Sequence, residues 1–327
     1  MVKYTVASFF SGVGGLDLGF ENAGFHFKFA NDNWRGCWQT YEANHNIEIN
    51  KSSIEDLNGS EFGDVLGFVG GPPCQSWSLA GAMRGIKDPR GKLLYDYLRL
   101  IKVKKPMFFL MENVQGMVSK THFGEFEKFV KSLKEIDYNV TYKVLNASDF
   151  NVAQDRKRVF IVGFHEDLGE VFEFPNPLND KITLKQAIGD LPEPLPAFKK
   201  NTPNPQDNLE VSNHEYMTGD FSPIYMSRNR VRGWDEQSFT IQASGRHAPI
   251  HPQANKMIKL SKDTHIFDPD SPKPYRRLSV RECARIQSFP DDFIFKYNKI
   301  NDGYKMVGNA VPPKLAEAIA FKIKSYL

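Results

Sequence analysis

An open, doubly wound α/β sheet carrying a second, smaller domain is the architecture this chain predicts, on three observations. Short apolar or β-branched runs alternate with helical stretches through the first half. The first of these runs ends in a glycine turn that opens a helix. A stretch holding Pro175, Pro177, Pro192, Pro194, Pro196, Pro203 and Pro205 then ends the alternation, as a linker would.

The totals are compatible with that architecture. The 327 residues, 41% hydrophobic and 25% charged, suffice for a soluble chain of one large domain and one small. No apolar run approaches the roughly 18 residues of a membrane helix. Met1-Val2-Lys3-Tyr4 leads into no secretory signal core. Cys37, Cys74 and Cys283 are too scattered for a disulfide framework or a zinc-binding CxxC pair. No metal is expected, therefore, and a reducing, cytoplasmic setting fits. A net charge of +3 names no partner by itself, so the distribution of charge must decide.

Residues 4–10 (YTVASFF) read as the first strand, followed by Ser11-Gly12-Val13-Gly14-Gly15 and a helix over 16–23 that stops at Gly24. A strand, glycine turn and helix in this order suit nucleotide binding, because backbone amides without side chains can approach a ligand closely. Asp17 stands where the third glycine of a dinucleotide fingerprint would be, which argues against a nicotinamide enzyme. A second strand over 25–30 ends at Asn31-Asp32. An acid at that tip suits ribose hydroxyls or the N-cap of a helix over 34–41, and the glycine turn upstream favours the ligand role.

The centre of the sequence is Gly70-Gly71-Pro72-Pro73-Cys74-Gln75-Ser76, which follows the apolar run 65–69. A buried strand that turns through Pro-Pro presents its next residue at the carboxyl edge of the sheet, where open α/β folds bind ligands. Cys74, fixed between prolines and a polar pair, is badly placed as core filler and reads as a nucleophile. The polar, basic stretch 78–91, with Arg84, reads as a loop over the site. A helix over 92–103 and an apolar strand over 107–111 follow, and the strand ends at Glu112-Asn113-Val114. An acid at the end of a buried strand is paired or functional, since an unpaired buried charge is costly.

A helix over 122–136 and strands over 139–145 and 159–164 complete the alternation. Between those strands lies Gln154-Asp155-Arg156-Lys157-Arg158, where one arginine is expected at the crevice and the other paired elsewhere. After the linker, with a short helix at 184–188, come Ser227-Arg228-Asn229-Arg230-Val231-Arg232-Gly233-Trp234 and Gln242-Ala243-Ser244-Gly245-Arg246. Arginines interleaved with amide and hydroxyl side chains suit contacts with bases or phosphates. Ser279 and Glu282 form a capping-box pattern for a helix, and Gly308-Asn309 before Val311-Pro312-Pro313 reads as a rigid turn into a last helix. The expected domains are 1–176, which holds the glycine turn and Cys74, 177–277, which holds the arginine-rich strings, and 278–327 as a hinge and segment returning to the first.

In this order the blocks Phe10-Ser11-Gly12-Val13-Gly14-Gly15, Gly71-Pro72-Pro73-Cys74-Gln75-Ser76, Glu112-Asn113-Val114, Gln154-Asp155-Arg156-Lys157-Arg158, Arg281-Glu282-Cys283-Ala284-Arg285 and Gly308-Asn309-Ala310-Val311 resemble the DNA cytosine-5 methyltransferases. The strings MSRNRVR and QASGR are similar to those of bacterial restriction-modification enzymes recognising GGCC. The resemblance implies an S-adenosylmethionine-dependent, Rossmann-like catalytic domain that methylates carbon 5 of a flipped cytosine in duplex DNA. It implies catalytic roles for Cys74 as nucleophile, Glu112 on the ring nitrogen and amine, and Arg156 on the base's carbonyl oxygen. It implies cofactor contacts from Phe10, Ser11, Gly12, Gly14, Gly15, Leu16, Asp32, Asn33, Ser53, Ile54, Pro72, Leu93, Asn309, Ala310 and Val311. DNA contacts would come from Arg228, Arg230, Arg246, Arg84 and Arg158. A monomer acting beside a cognate endonuclease, near the nucleoid, completes what the resemblance implies.

Two departures concern the adenine pocket. The second-strand acid, typically glutamate followed by an aromatic, is Asp32 followed by Asn33, with Trp34 one place late; the later acid of the pocket is replaced by Ser53. Rival readings are a tRNA methyltransferase sharing the catalytic blocks, and a repressor that keeps the fold without the chemistry.

Overall fold

The computed structural model describes residues 4–73 and 89–327, with the side chains of residues 89–91 and 206 left aside. Cys74, Gln75, Ser76, Arg84 and most of the 78–91 stretch lie outside the described residues. The chain divides into two compact units. The first comprises 1–146, 157–177 and 313–327, and the second 147–156 and 178–312.

The first unit is built on a six-stranded sheet in the order β2-β1-β3-β4-β6-β5. Its strands are β1 (Thr5–Phe9), β2 (His26–Asn31), β3 (Gly67–Gly70), β4 (Phe108–Val114), β5 (Tyr138–Asn146) and β6 (Lys157–His165). β1 pairs in parallel with both β2 and β3, and β3 with β4, while β6 runs antiparallel to both β4 and β5. Strands buried on both faces explain the unbroken apolar runs that mark them in the sequence. Around Phe9 lie the rings of Phe68, Phe62, Tyr97 and Phe29, with centroids 5.0 to 5.8 Å away. Two glycines make room for β4's rings: a Cβ on Gly67 would stand 2.2 Å from Phe108, and one on Gly163 would stand 2.1 Å from Phe109.

Helices α1 (Gly15–Asn22), α2 (Arg35–Asn44), α3 (Pro89–Lys104) and α4 (Phe123–Lys134) connect these strands. The strand order reverses at β1 and β3, whose carboxyl ends therefore flank the crevice where such sheets bind ligands. β4 runs from its apolar stretch through Glu112, Asn113 and Val114, where the strand was expected to end, because β6 supplies partners in Phe160, Val159 and Arg158.

The second unit has little sheet: β7 (Leu195–Pro196) beside β8 (Glu215–Tyr216), and β9 (Ile258–Ser261) beside β10 (Thr264–Ile266). Its helices are α5 (Leu184–Ile188), α6 (Val280–Ile286) and α7 (Ile300–Asn309). The capping box of Ser279 and Glu282 forms as its pattern predicts. Gly308-Asn309, expected as a turn, instead closes α7. A Cβ on Gly308 would meet the Gln242 backbone at 2.4 Å, so glycine lets that segment lie against the helix. Helix α8 (Pro313–Lys324) belongs to the first unit, where α1's Gly19 packs against Ala316.

Candidate active site

At the carboxyl end of β1 the backbone turns through Phe10 (φ 54°), Gly12 (φ 57°) and Gly14 (φ 84°), the residue that caps α1. Such left-handed angles favour glycine. The two glycines nevertheless face different surroundings. A Cβ on Gly12 would have no atom within 4 Å, whereas one on Gly14 would strike the His45 ring at 2.0 Å. The loop thus has open space on one side and an imidazole on the other.

The next strand supplies the acid. Asp32 Oδ2 accepts a hydrogen bond from Gly12 N (2.9 Å), and its Oδ1 accepts one from Trp34 N (2.8 Å). Asp32 therefore ties the glycine turn to the start of α2. The N-cap of α2 is Trp34, with no side-chain cap bond. Asn33 is exposed, Ser53 Oγ donates to Glu55 Oε2 (3.3 Å), and Ile54 is buried. Leu16 is buried at the start of α1, and Leu93 is half-buried against the sheet core. A turn left open at the Gly12 Cα and an acid at the neighbouring strand tip fit a nucleoside carrying an amino-acid tail.

Glu112 lies further along the same edge. Its Oε2 would stand 3.4 Å from a Cβ on Gly71, three positions before Cys74. The next residue, Asn113, is buried, and its Nδ2 donates to the carbonyl of Pro72 (3.3 Å). Asn113 thereby fixes the Gly-Pro-Pro turn to β4. Sequence reasoning did not single it out, although a buried amide beside a functional acid is the signal that could have done so.

The arginine against Glu112 is Arg158, with Nε 3.0 Å from Oε1 and both side chains mostly buried. The register explains the meeting: Arg158 sits opposite Val114, so its side chain lies diagonal to Glu112 on the same face. Arg156, expected on the base's carbonyl oxygen, donates hydrogen bonds within the second unit. It precedes the first residue of β6, lies in the second unit and is 1% exposed. Its Nη1 donates to Ile241 O (3.2 Å), and its Nη2 to Gly308 O (2.9 Å) and Ala310 O (3.1 Å). Residues two apart in one strand share a face. What separates the two arginines is the start of the strand, not alternation along it. Gln154 and Gln287 extend the same lattice: Gln154 Nε2 donates to Gln287 Oε1 (3.0 Å), and Gln287 Nε2 to Ala310 O (2.8 Å). Within this unit Asn309 is exposed, while Ala310 follows the helix as its C-cap.

The expected DNA contacts also divide. Arg228 and Arg246 are exposed. Arg230 is buried instead, donating from Nε to Tyr225 O (2.8 Å) and from Nη2 to Ile224 O (3.1 Å), with its guanidinium 4.6 Å from the Tyr225 ring centre. A cavity of about 180 Å³ is lined by Arg228, Asn229, Arg230, Phe239, Thr240, Gln242, His247 and Pro249. Burial, then the positive charges of Arg230, Arg246, Arg228 and Arg277, holds His247 below its ordinary pKa. The concavity is therefore electropositive, as a surface facing nucleic acid would be.

A parallel-dominated sheet with a glycine turn, a ribose-suited acid and a strand-end Glu–Arg pair defines a Rossmann-like, S-adenosylmethionine-dependent methyltransferase. The family model described as C-5 cytosine-specific DNA methylase matches residues 4–325. The type II methyltransferase M.MthTI of Methanothermobacter thermautotrophicus is 69% identical over 98% of this chain and 97% of its own. M.FnuDI of Fusobacterium nucleatum, also a type II methyltransferase, is 53% identical over 98% of this chain and 94% of its own. Among solved structures, the Entamoeba histolytica methyltransferase EhMeth superposes with a TM-score of 0.73 at 17% identity, over 99% of both chains. The chain belongs to the C-5 cytosine-specific DNA methylase family. It is a DNA methyltransferase, and its methyl donor is S-adenosylmethionine. No helix among the described residues is long and apolar enough to cross a membrane.

Proposed function

We propose that the chain methylates carbon 5 of a cytosine flipped out of a short duplex site, GGCC, through a transient bond between Cys74 and carbon 6. The observation that carries this reading is the Glu112–Arg158 pair at the end of β4, with the Glu112 carboxylate over Gly71. Carbon 5 of cytosine is a weak nucleophile until electrons are added to the ring. Cys74 as thiolate adds to carbon 6, leaving an enamine-like ring. Glu112 hydrogen-bonds nitrogen 3 and the exocyclic amine as charge accumulates there. Arg158, anchored on Glu112, orients that carboxyl and takes the contact with the base's carbonyl oxygen first assigned to Arg156. S-adenosylmethionine, when bound, supplies an electrophilic methyl group on a sulfonium. Loss of the carbon-5 proton with expulsion of Cys74 then restores the ring.

The two described cysteines offer no alternative nucleophile. Cys37 is buried, with Sγ donating to Trp34 O (3.1 Å), and burial pushes the Cys283 thiol well above its ordinary range. Phe10, Ser11, Gly12, Gly14, Gly15 and Leu16 would hold the methionine part of the donor, and Asp32 its ribose. Asn33, Ser53, Ile54, Pro72 and Leu93 would line the rest of the pocket. The assignment of Asn309, Ala310 and Val311 rests on the family resemblance.

In the second unit, the exposed Arg228 and Arg246 are the base readers, each good bidentate pair giving roughly 1–3 kcal/mol of discrimination. Arg230 braces the loop that presents Arg228. A monomer working beside an endonuclease of the same specificity belongs to this reading. Bisulfite sequencing of duplex DNA treated with the protein and S-adenosylmethionine tests it. Protection of one cytosine within GGCC alone is the expected result. Protection at another sequence would overturn the specificity, and conversion of every cytosine, with methyl transfer to tRNA instead, would overturn the substrate.

A further inference from the structure

We propose that His45 is a positioning residue for the S-adenosylmethionine loop: its imidazole occupies the space of Gly14's absent side chain and holds the turn by the carbonyl of Val13. His45 follows the last residue of α2 and leaves the helix in extended backbone (φ −125°, ψ 143°). Its ring turns inward and stacks on Tyr41, with centroids 4.3 Å apart and planes at 24°. Nε2 lies 3.3 Å from Val13 O, and Nδ1 lies 3.0 Å from Glu21 Oε2. Both neighbours are acceptors, so both contacts are hydrogen bonds only if the ring carries two protons. Burial opposes that charge, but the Glu21 hydrogen bond and the carboxylates of Glu21 and Asp17 outweigh it and raise the pKa above its ordinary value.

A second arm reaches the same loop from below. Tyr41 Oη and Ser8 Oγ each donate to Asp17 (2.7 Å), and Ser11 Oγ donates to Ser8 Oγ (2.8 Å). The loop's open side therefore faces ligand space at Gly12, while its inner side is fixed by a buried polar lattice at Ser11 and Val13. A loop with three left-handed residues has many alternative shapes, and an inner clamp removes them before the donor binds. The clamp lies outside the residues assigned to the cytosine and to the methyl transfer. Its loss should weaken donor binding and leave the chemical step intact.

The test measures binding of S-adenosylhomocysteine by calorimetry, and kcat and KM for S-adenosylmethionine, on the full chain and its variants. His45→Ala is expected to weaken S-adenosylhomocysteine binding and raise KM about tenfold or more, with kcat within about twofold. His45→Gln, which keeps a donor for Val13, is expected to recover most of that loss. Unchanged binding in folded His45→Ala would overturn the proposal, as would a loss in kcat alone. If His45→Ala does not fold, Glu21→Ala is read in its place, since it removes only the ring's outer anchor. A several-fold loss of donor affinity is then expected, and no loss would overturn the proposal.

Discussion

The two units of this chain are held together by different chemistry. The first is an apolar sheet: Val159, Phe160, Ile161 and Val162 of β6 and Phe108, Leu110 and Met111 of β4 are all fully buried. The second has short strands and long irregular stretches, and buried arginines bind its backbone. Arg281 donates to the carbonyls of Ser212, Pro290 and Phe293, and Arg277 to those of Gly219 and Asp220. Arg276 forks onto Glu282, with both bonds at 2.9 Å. A guanidinium offers five donors in fixed directions, so a single side chain can satisfy several loop carbonyls that no strand partner reaches. The lesson is that an arginine-rich segment in a DNA-binding protein need not be a DNA surface. In this unit some arginines brace and others are exposed, and burial tells them apart.

The sharpest way to break that comparison is to remove one charged residue from each unit. Glu112→Gln keeps the size of the side chain and should lower kcat by about 10²–10⁴, with little change in melting temperature. Radiolabelled methyl transfer and a thermal melt on the same preparation would check it. Arg281→Met should do the reverse and destabilise by about 3–5 kcal/mol in urea, because a buried guanidinium is lost and three loop carbonyls lose their donor. A loss of activity with unchanged stability would place Arg281 in the chemistry instead. Arg246→Ala should cost roughly 1–3 kcal/mol of discrimination between GGCC and a mismatched site. Equal weakening on cognate and random DNA, read by fluorescence anisotropy, would assign Arg246 to phosphates.

The smallest effect expected is a pH slope from Asp17. Burial is the main cause that raises its carboxyl from the ordinary 3.8 to about 6, against the opposing influence of His45, Tyr41 and Ser8. The folded chain therefore holds this proton more tightly than the unfolded chain does. The stability it contributes is full below about pH 4 and is lost as pH rises through about 6. Asp17→Asn should flatten that part of the stability profile, measured by urea denaturation at a series of pH values.

How much of this was legible in the sequence follows the same division. Strands β1, β3 and the first part of β4 announce themselves because parallel strands buried on both faces must be apolar throughout. The Ser279–Glu282 cap and the Leu184–Ile188 helix were also readable, since capping chemistry is local. The passage of 147–156 into the second unit was not, because no change of composition marks it. For that reason the sequence reading put Arg156 on the base and Arg158 on DNA, whereas Arg158 pairs with Glu112 and Arg156 binds carbonyls of the second unit. Helix α7 was hidden for a related reason. Gly303 and Gly308 lower its helix propensity, yet both are required by close neighbours, the Tyr297 ring and the Gln242 backbone. The role of Asn113 depended on a carbonyl 41 positions away, which local pattern does not reveal.

One measurement tests the central claim most directly. The protein is incubated with S-adenosylmethionine and a GGCC duplex carrying 5-fluorocytosine, whose carbon 5 has no proton to release, and the products are digested and examined by mass spectrometry. The account predicts a denaturation-resistant adduct on the peptide containing Cys74, and none with Cys74→Ala. An adduct at another residue, or methylation of ordinary cytosine by Cys74→Ala at the parent rate, would contradict it.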